Sequence, residues 1–549
     1  MRKLVVAVVI LAVLAAIGWS RRELVLMRLP GIIGRIVDPI GANVPVVWDQ
    51  PPTEAPRAEG RPNVVVIVAD DLGYNDLTFA GGGVAGGAVP TPAIDSIARD
   101  GLQFTRGYTG NATCSPSRAA ILTGRYPTRF GFEFTPVPKE FSRALAYIRR
   151  DDPRPPHYFA DHAAEVPPLA DLGVPPSEIT LAELLRERGY HTMGLGKWHL
   201  GEASRFHPTA QGFDEYLGFL TGASLFLETD DPEVVNSKQD FDPIDRFLWA
   251  NLAFAVSKDG GPRFAPDAYM TDYLAREAAS AIGANKSRPF FLYLAFNAPH
   301  TPLQAKRSDY DALSQIEDPR LRTYAAMIRA LDRGVGTVLE ALRANGLEEN
   351  TLVLFVSDNG GADYVGLRDL NKPYRGWKMT FFEGGIRTPF FAKWPARIKA
   401  GSRFDAPVAH VDLFATAAAA AGAALPSDRV IDGVDLLARF RGEAPGRPND
   451  AIFWRSGHYR ALLANDWKIQ VSERPKKTWL FDLASDPTEQ HDLAAARPDK
   501  RTELEALLAQ QEAQMAEPAW PALVEGSVAI DHSLAEPLEP DDEYVYWAN

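Results

Sequence analysis

The chain has 549 residues, 46% of them hydrophobic and 23% charged, which excludes a wholly disordered protein. Its 58 Lys and Arg against 71 Asp and Glu leave a formal net charge of −13, a poor balance for a non-specific nucleic-acid binder. The single cysteine, Cys114, excludes an intramolecular disulfide and a Cys-rich zinc site.

At the start, Arg2 and Lys3 precede an uncharged apolar run, Leu4–Trp19, and Arg21 and Arg22 follow it. The run is long for the core of a signal peptide and slightly short for a comfortable bilayer span. It lacks a clean small-x-small cleavage site, and no Cys follows it to carry a lipid. Residues 1–22 therefore read as an export signal retained as an anchor. The body is expected to work outside the cytoplasm, membrane-anchored or periplasmic or extracellular. Residues 23–61 read as a juxtamembrane region and linker, with Pro and charge concentrated in 48–62.

The body opens on a continuous β-branched run, Asn63–Ala69, which predicts a strand buried on both faces of a parallel sheet. Similar runs recur at Pro289–Phe296 and Thr351–Val356. Helical patterns lie between them, at Thr180–Arg188 and Tyr324–Arg343. This alternation predicts an α/β fold over residues 62–430, with a large, mostly parallel sheet flanked by helices. Residues 135–177 and 221–265 read as long insertions that shape a substrate site. Over 431–516, short runs at Ala451–Trp454, Tyr459–Ala464, Trp467–Val471 and Thr478–Leu483 predict a smaller antiparallel sheet, and a helix follows at Lys500–Met515. The tail, 517–549, is rich in Pro, Asp and Glu and is expected to hold little regular structure.

Asp70 and Asp71 end the first strand, and Ser357-Asp358-Asn359-Gly360-Gly361 ends another. In open α/β sheets ligands bind outside the carboxyl ends of the strands. Taken singly, the first pair also fits a helix cap and the second an Asn-Gly turn. Taken together, Asp70, Asp71, Asp358 and Asn359 offer oxygen ligands alone, which suits a hard cation such as Ca²⁺ or Mg²⁺. A lone Cys is usually a small buried hydrophobe. Cys114, however, opens Cys-Ser-Pro-Ser-Arg-Ala-Ala-Ile-Leu-Thr-Gly-Arg, where Pro116 fits the first turn of a helix. That puts Cys114 at a helix N-terminus, where free N–H groups favour an anion, with Arg118 near the same face.

The C-x-P-S-R run with Thr123-Gly124-Arg125 after it resembles the signature of the type I sulfatases, formylglycine-dependent enzymes of the alkaline phosphatase superfamily. Further blocks resemble the family in its order: Asp70–Gly73, Gly196–Gly201, Ala298–Pro302, Ser357–Gly361, Arg375–Lys378 and Glu383–Pro389, with Leu480–Leu483 and Asp486-Pro487 late in the chain. The resemblance implies an arylsulfatase-type hydrolysis of sulfate monoesters. An export-linked maturation enzyme would oxidise Cys114 to formylglycine. One hydroxyl of its hydrate would attack sulfur, and the other would later expel sulfate. It also implies that Asp70, Asp71, Asp358, Asn359 and the modified Cys114 hold a divalent cation, most simply Ca²⁺. Arg118 would hold the nucleophile, and Lys197 would lie near sulfate and nucleophile. His199 would be the base for sulfate elimination, and His300 and Lys378 would flank the leaving oxygen. Lys197 and His199 are two apart, so in an extended chain both point to one side.

Ser224 follows the Lys197–His199 block without an assigned role. Trp377 stands where relatives carry a small residue, and is expected to narrow the pocket or stack on an aromatic or sugar ring. The substrate is expected to be a sulfated small molecule or saccharide, with no nucleic-acid partner. Two other readings stand beside this one: a phosphonate or phosphate monoester hydrolase of the same superfamily, and an inactive anchored binding protein. The second is disfavoured because every expected charged site residue is present.

Overall fold

The run Asn63–Ala69 forms strand β1, buried along its whole length, at the centre of a nine-stranded sheet. The computed structural model describes residues 22–51, 60–440 and 451–549. Residues 1–21, most of the expected anchor, lie outside the described residues, as do 52–59 of the linker and 441–450 of the second subdomain. Among the described residues, no helix is long and apolar enough to cross a membrane.

The other strands of this sheet are β2 (Leu102–Phe104), β3 (His191–Lys197), β4 (Glu215–Phe219), β5 (Ser257–Lys258), β6 (Phe290–Ala295), β7 (Thr351–Ser357), β8 (Phe390–Lys393) and β9 (Ser402–Phe404). Their spatial order is β9-β2-β8-β7-β1-β6-β3-β4-β5. The central strands β7, β1, β6, β3 and β4 run parallel, while β8 and β5 pair antiparallel. The three apolar runs predicted as strands are β1, β6 and β7. Their side chains alternate between two cores: Val65 and Ile67 face one, Val64, Val66 and Val68 the other. Burial on both faces is why these strands read as unbroken apolar runs.

Helices cover both faces. The helices used below are α1 (Arg22–Val37), α2 (Pro92–Arg99), α3 (Cys114–Thr123), α4 (Leu181–Glu187), α5 (Pro243–Asn251), α6 (Met270–Ala284), α7 (Pro319–Ala344), α8 (Val411–Ala420) and α9 (Pro498–Glu512). Residues of α2, α6 and α7 line the first core; residues of α3, α4 and α8 line the second. Local chemistry sets their starts. Thr180 and Glu183 form a reciprocal capping box before α4. Asp318 accepts from the backbone N–H groups of Arg320 and Leu321 and precedes Pro319 at the start of α7.

The second subdomain is a four-stranded antiparallel meander, β10 (Ala451–Ser456), β11 (Tyr459–Ala464), β12 (Trp467–Glu473) and β13 (Lys476–Asp482), followed by α9. The tail differs from expectation. Strand β14 (Val524–Ala529) pairs on one edge with β15 (Tyr544–Ala548) and on the other with the short strand His157–Tyr158 of the 135–177 insertion. Between its acidic and Pro-rich stretches the tail carries Val528, Ile530, Val545 and Trp547, which the third core buries. Composition averaged over the tail conceals this apolar set.

A buried polar latch ties the second subdomain to the first. Lys468 of β12 lies 2.9 Å from both Glu383 Oε1 and Glu489 Oε1, and all three side chains are inaccessible. The backbone N–H of Glu383 donates to Glu489 Oε2 at 2.6 Å, and Glu383 Oε2 accepts from Tyr108 and Arg387. Lys468→Met would strand two carboxylates side by side in the interior. A loss of about 3–5 kcal/mol is expected, measured by urea unfolding. An unchanged midpoint would show that the latch carries no stability.

His410 lies at the start of α8, fully buried, its Nδ1 3.3 Å from Ser117 Oγ. Burial lowers its pKa from 6.5 to about 3. The folded state keeps the ring neutral while the unfolded chain protonates it, so unfolding takes up a proton. This contribution is complete above pH about 6.5 and is lost as pH falls toward 3. Stability against pH is expected to be less steep over that window in His410→Gln than in the parent protein. Parallel curves would refute the assignment.

Candidate active site

The site forms where β1 and β7 end side by side. Their register pairs Ala69 with Ser357, so Asp70 and Asp71 emerge level with Asp358 and Asn359. Cross-links hold the two ends together: Asp71 N–H donates to Asp358 Oδ1 at 3.1 Å, and Leu72 N–H donates to Ser357 Oγ at 2.9 Å. Asp71 takes a left-handed φ of 62°, which turns the chain off the strand.

Cys114 is the first residue of α3, as its motif predicts, and is buried. Its Sγ lies 3.6 Å from Asp71 Oδ1, and Lys378 Nζ lies 3.2 Å from the sulfur. Burial, with Asp358 adding to it, holds the thiol far above its ordinary range. One turn along α3, Arg118 donates from Nε to Asp358 Oδ2 at 2.9 Å and lies 3.4 Å from Asp70 Oδ1. Lys197, the last residue of β3, donates to both oxygens of Asp70 at 2.7 and 2.8 Å. Lys378 does the same to Asp71 at 2.7 and 2.8 Å. Three buried carboxylates thus face three buried cations.

This environment divides the titrating groups. Burial pushes Asp70 up to about 7 against the pull of Lys197. Burial also acts on Asp71, but the ammonium groups of Lys378 and Lys197 outweigh it and hold that carboxyl well below the usual range. Asp358 is likewise held low, because Arg118 and Lys197 outweigh burial. Burial works against the charge on Lys378, yet Asp71 beside it keeps the ammonium well above its ordinary range. His300 is pushed down to about 3 by burial. Its Nδ1 lies 2.5 Å from Thr301 O, a pure acceptor, so the neutral ring carries its proton there. The unprotonated Nε2 then faces the cluster, 3.6 Å from Asp71 Oδ2.

His199 reaches the site by a different route from the one expected. It takes a left-handed φ of 63°, so the chain is not extended there and strand alternation does not place it beside Lys197. Its carbonyl accepts from Ser115 Oγ at 2.6 Å, which fixes this turn against α3. Burial, then Lys197 and Arg118, hold its ring neutral, and Nδ1 is buried without a hydrogen-bond partner. Ser224 is turned to the backbone, its Oγ donating to Ala253 O at 2.9 Å. Trp377 is buried within the first core, and its indole Nε1 is buried without a hydrogen-bond partner.

The donor atoms suit a hard divalent cation. Ligand atoms of Asp70, Asp71, Cys114 and His300 lie within 4.8 Å of one another, and Asp358 and Asn359 border them. Asn359 donates through Nδ2 to Asp71 Oδ1 at 2.7 Å, while its Oδ1 is buried without a hydrogen-bond partner. A buried carbonyl oxygen with no donor beside carboxylates is a ligand available to a cation.

One residue of the cluster has no counterpart in the sequence reading. Tyr364 donates to Asp71 Oδ2 at 2.8 Å, and its hydroxyl receives Lys378 Nζ at 2.8 Å. It follows Asn359 by five positions, in the short 3-10 turn Asp363–Val365, and that proximity is its sole signal in the sequence.

A sequence model of the family described as Sulfatase matches residues 62–423. The chain is 36% identical over 424 residues to N-acetylgalactosamine-6-sulfatase of Mus musculus, covering 76% of this chain and 73% of that protein. It is 31% identical over 556 residues to steryl-sulfatase of Mus musculus, covering 83% and 82%. The crystal structure of Ps i-CgsB in complex with k-i-k-neocarrahexaose superposes with a TM-score of 0.69 at 33% identity, covering 84% of this chain and 94% of that one. The match spans both strand ends, the Cys114 helix and the loop of Lys378, and with these likenesses the chain belongs to the sulfatase family and is a sulfuric ester hydrolase.

Proposed function

We propose that the protein hydrolyses sulfate monoesters of a saccharide, with Cys114 matured to formylglycine and Ca²⁺ held by Asp70, Asp71, Asp358, Asn359 and the matured residue. The observation that carries this reading is the placing of one buried Lys378 Nζ on both Cys114 Sγ and Asp71. A nucleophile position, a ligand carboxylate and a proton-bearing ammonium meet at a single atom. The saccharide class rests on two relatives, one named for an N-acetylgalactosamine sulfate and one crystallised with a neocarrahexaose. When present, the cation supplies polarisation of the sulfate oxygens and the formylglycine supplies the nucleophilic oxygen.

The chain's own residues do the rest. Arg118 spans Asp358 and Asp70 and so holds both strand ends in one geometry. Lys197, Lys378 and Arg118 set positive charge around the space where an anionic sulfate would sit. Of the two residues flanking the leaving oxygen, Lys378 carries a proton at neutral pH. His300, with its proton turned to Thr301, presents an acceptor. His199, neutral and with a free ring nitrogen, suits a base. The apolar run Leu4–Trp19 would carry the protein to the outer side of a membrane and hold it there, and maturation of Cys114 would require a separate oxidising enzyme.

The reading is tested by the mass of the tryptic peptide containing Cys114, paired with turnover of matched sulfate and phosphate esters. Activity on the sulfate ester is expected to scale with the formylglycine fraction and to exceed that on the phosphate. Robust turnover by protein containing unmodified Cys alone would overturn it.

Lys378→Met is expected to cost on the order of 10²–10⁴ in rate with a poor leaving group, and much less with nitrophenyl sulfate. Equal losses on both substrates would remove Lys378 from the donor role. Tyr364→Phe removes the hydroxyl that joins Asp71 to Lys378. It is expected to weaken Ca²⁺ binding roughly 10–100-fold, read by calorimetric titration. An unchanged affinity would confine Tyr364 to packing.

A further inference from the structure

Over residues 28–37, helix α1 turns large apolar side chains outward. Gly31 is its contact with the body: the Gly31 N–H donates to Asn251 Oδ1 at 2.7 Å, and a Cβ at this position would meet Ala250 O at 2.6 Å. The glycine thus permits α1 to lie tightly on α5. A second fastening follows the helix, where Arg263 Nε pairs with Asp38 at 2.5 Å and Gly41 N–H donates to Arg263 O at 2.9 Å. At about 100° per residue, Leu29, Ile32, Ile33, Ile36 and Val37 fall in an arc of about 140° centred opposite Gly31. These five are between 45% and 76% exposed, and they are half of the ten large hydrophobics exposed among the described residues. Arg28 and Arg35, also exposed, lie along one edge of the arc.

Water is a poor neighbour for such a face. A contiguous apolar patch with a basic edge marks a surface that another apolar phase covers. Two facts identify that phase. The uncharged run Leu4–Trp19 ends just before α1 begins, separated from it by Ser20 and Arg21. Arg28 and Arg35 set positive charge beside the apolar arc, and in sequence Arg21 and Arg22 precede it, in a protein whose net charge is −13. This combination of an apolar arc and a basic edge is that of a helix lying in the headgroup region of an anionic bilayer.

We propose that α1 is a membrane-docking helix whose outer face, Leu29, Ile32, Ile33, Ile36 and Val37, lies in the surface of an anionic lipid bilayer. It fastens the body to that surface through α5. This role is separate from the hydrolytic reading and from anchoring by the upstream run, because an anchor alone leaves α1 in water.

The test uses the full chain with Ile33→Cys or Ile36→Cys, each carrying an environment-sensitive fluorophore. The native Cys114 is buried and shielded from the reagent. A third protein carries the label at the exposed Ser485. Each is added to vesicles of phosphatidylcholine, with and without phosphatidylglycerol, containing brominated acyl chains. The labels at 33 and 36 are expected to shift to the blue and to lose most of their intensity to bromine, more so with phosphatidylglycerol, while the label at 485 does neither. Vesicle-bound protein whose labels at 33 and 36 remain water-exposed would overturn the proposal and leave an anchor alone. Labels that are already blue-shifted without vesicles would also overturn it, because residues 4–19 or a second copy would then cover the face. Failure to bind any vesicle would do the same. Sulfatase turnover of the labelled proteins reports the integrity of the fold independently.

Discussion

Six buried charges organise this protein. Asp70, Asp71 and Asp358 face Arg118, Lys197 and Lys378, and none of the six is more than 6% exposed. Each ion removed from water costs several kcal/mol unless a partner of opposite sign and good geometry offsets it. The partners arrive from separate parts of the chain: two strand ends, one helix, a third strand end and a loop. The cluster therefore exists only when the sheet has closed around it in register. The parallel pairing of β1 with β7 is what brings the carboxylates to one level.

The local backbone shows how much the cluster demands. Asp71, His199 and Met379, next to Lys378, all adopt left-handed φ angles. That conformation costs a non-glycine residue about 1–2 kcal/mol. Three such residues beside one set of charges place the strain where the side chains must leave regular structure. The hydrogen bonds between neighbouring strand ends and from Ser115 to His199 O hold these turns.

The second subdomain supports the site from behind. Lys468 fixes Glu383 from β12, and Glu383 begins the turn whose Gly385 carbonyl accepts from Gly360, beside Asn359. Arg387 in the same segment returns to Thr105 O. The loop of Lys378 is thus clamped between the two sheets. The tail adds Val528, Ile530, Val545 and Trp547 to the core beneath it. On the opposite flank of the chain's order, α1 rests on α5 within the 221–265 insertion, so the helix with the outward apolar face is joined to the body through that insertion.

The sequence by itself determined the parallel core and most of the cluster. Strands buried on both faces must be apolar throughout, so β1, β6 and β7 announce themselves without a partner in view. Motif order carried Asp70, Asp71, Cys114, Arg118, Lys197, His300, Asp358, Asn359 and Lys378 to one place. What it concealed depends on contacts between distant segments. The strands of the tail are short and lie between Pro-, Asp- and Glu-rich stretches, so composition averaged over the tail reads as an acidic linker. Tyr364 lies in a single 3-10 turn, Asp363–Val365, too short for periodicity to mark a side chain as inward. His199 comes to the site through a left-handed turn fixed by Ser115 O–H, and spacing of two does not reveal that turn. Trp377, beside Lys378, packs into the first core, a burial that its position in the motif does not reveal. Local pattern records what a segment buries; the direction in which a loop side chain points is decided by the segments packed against it.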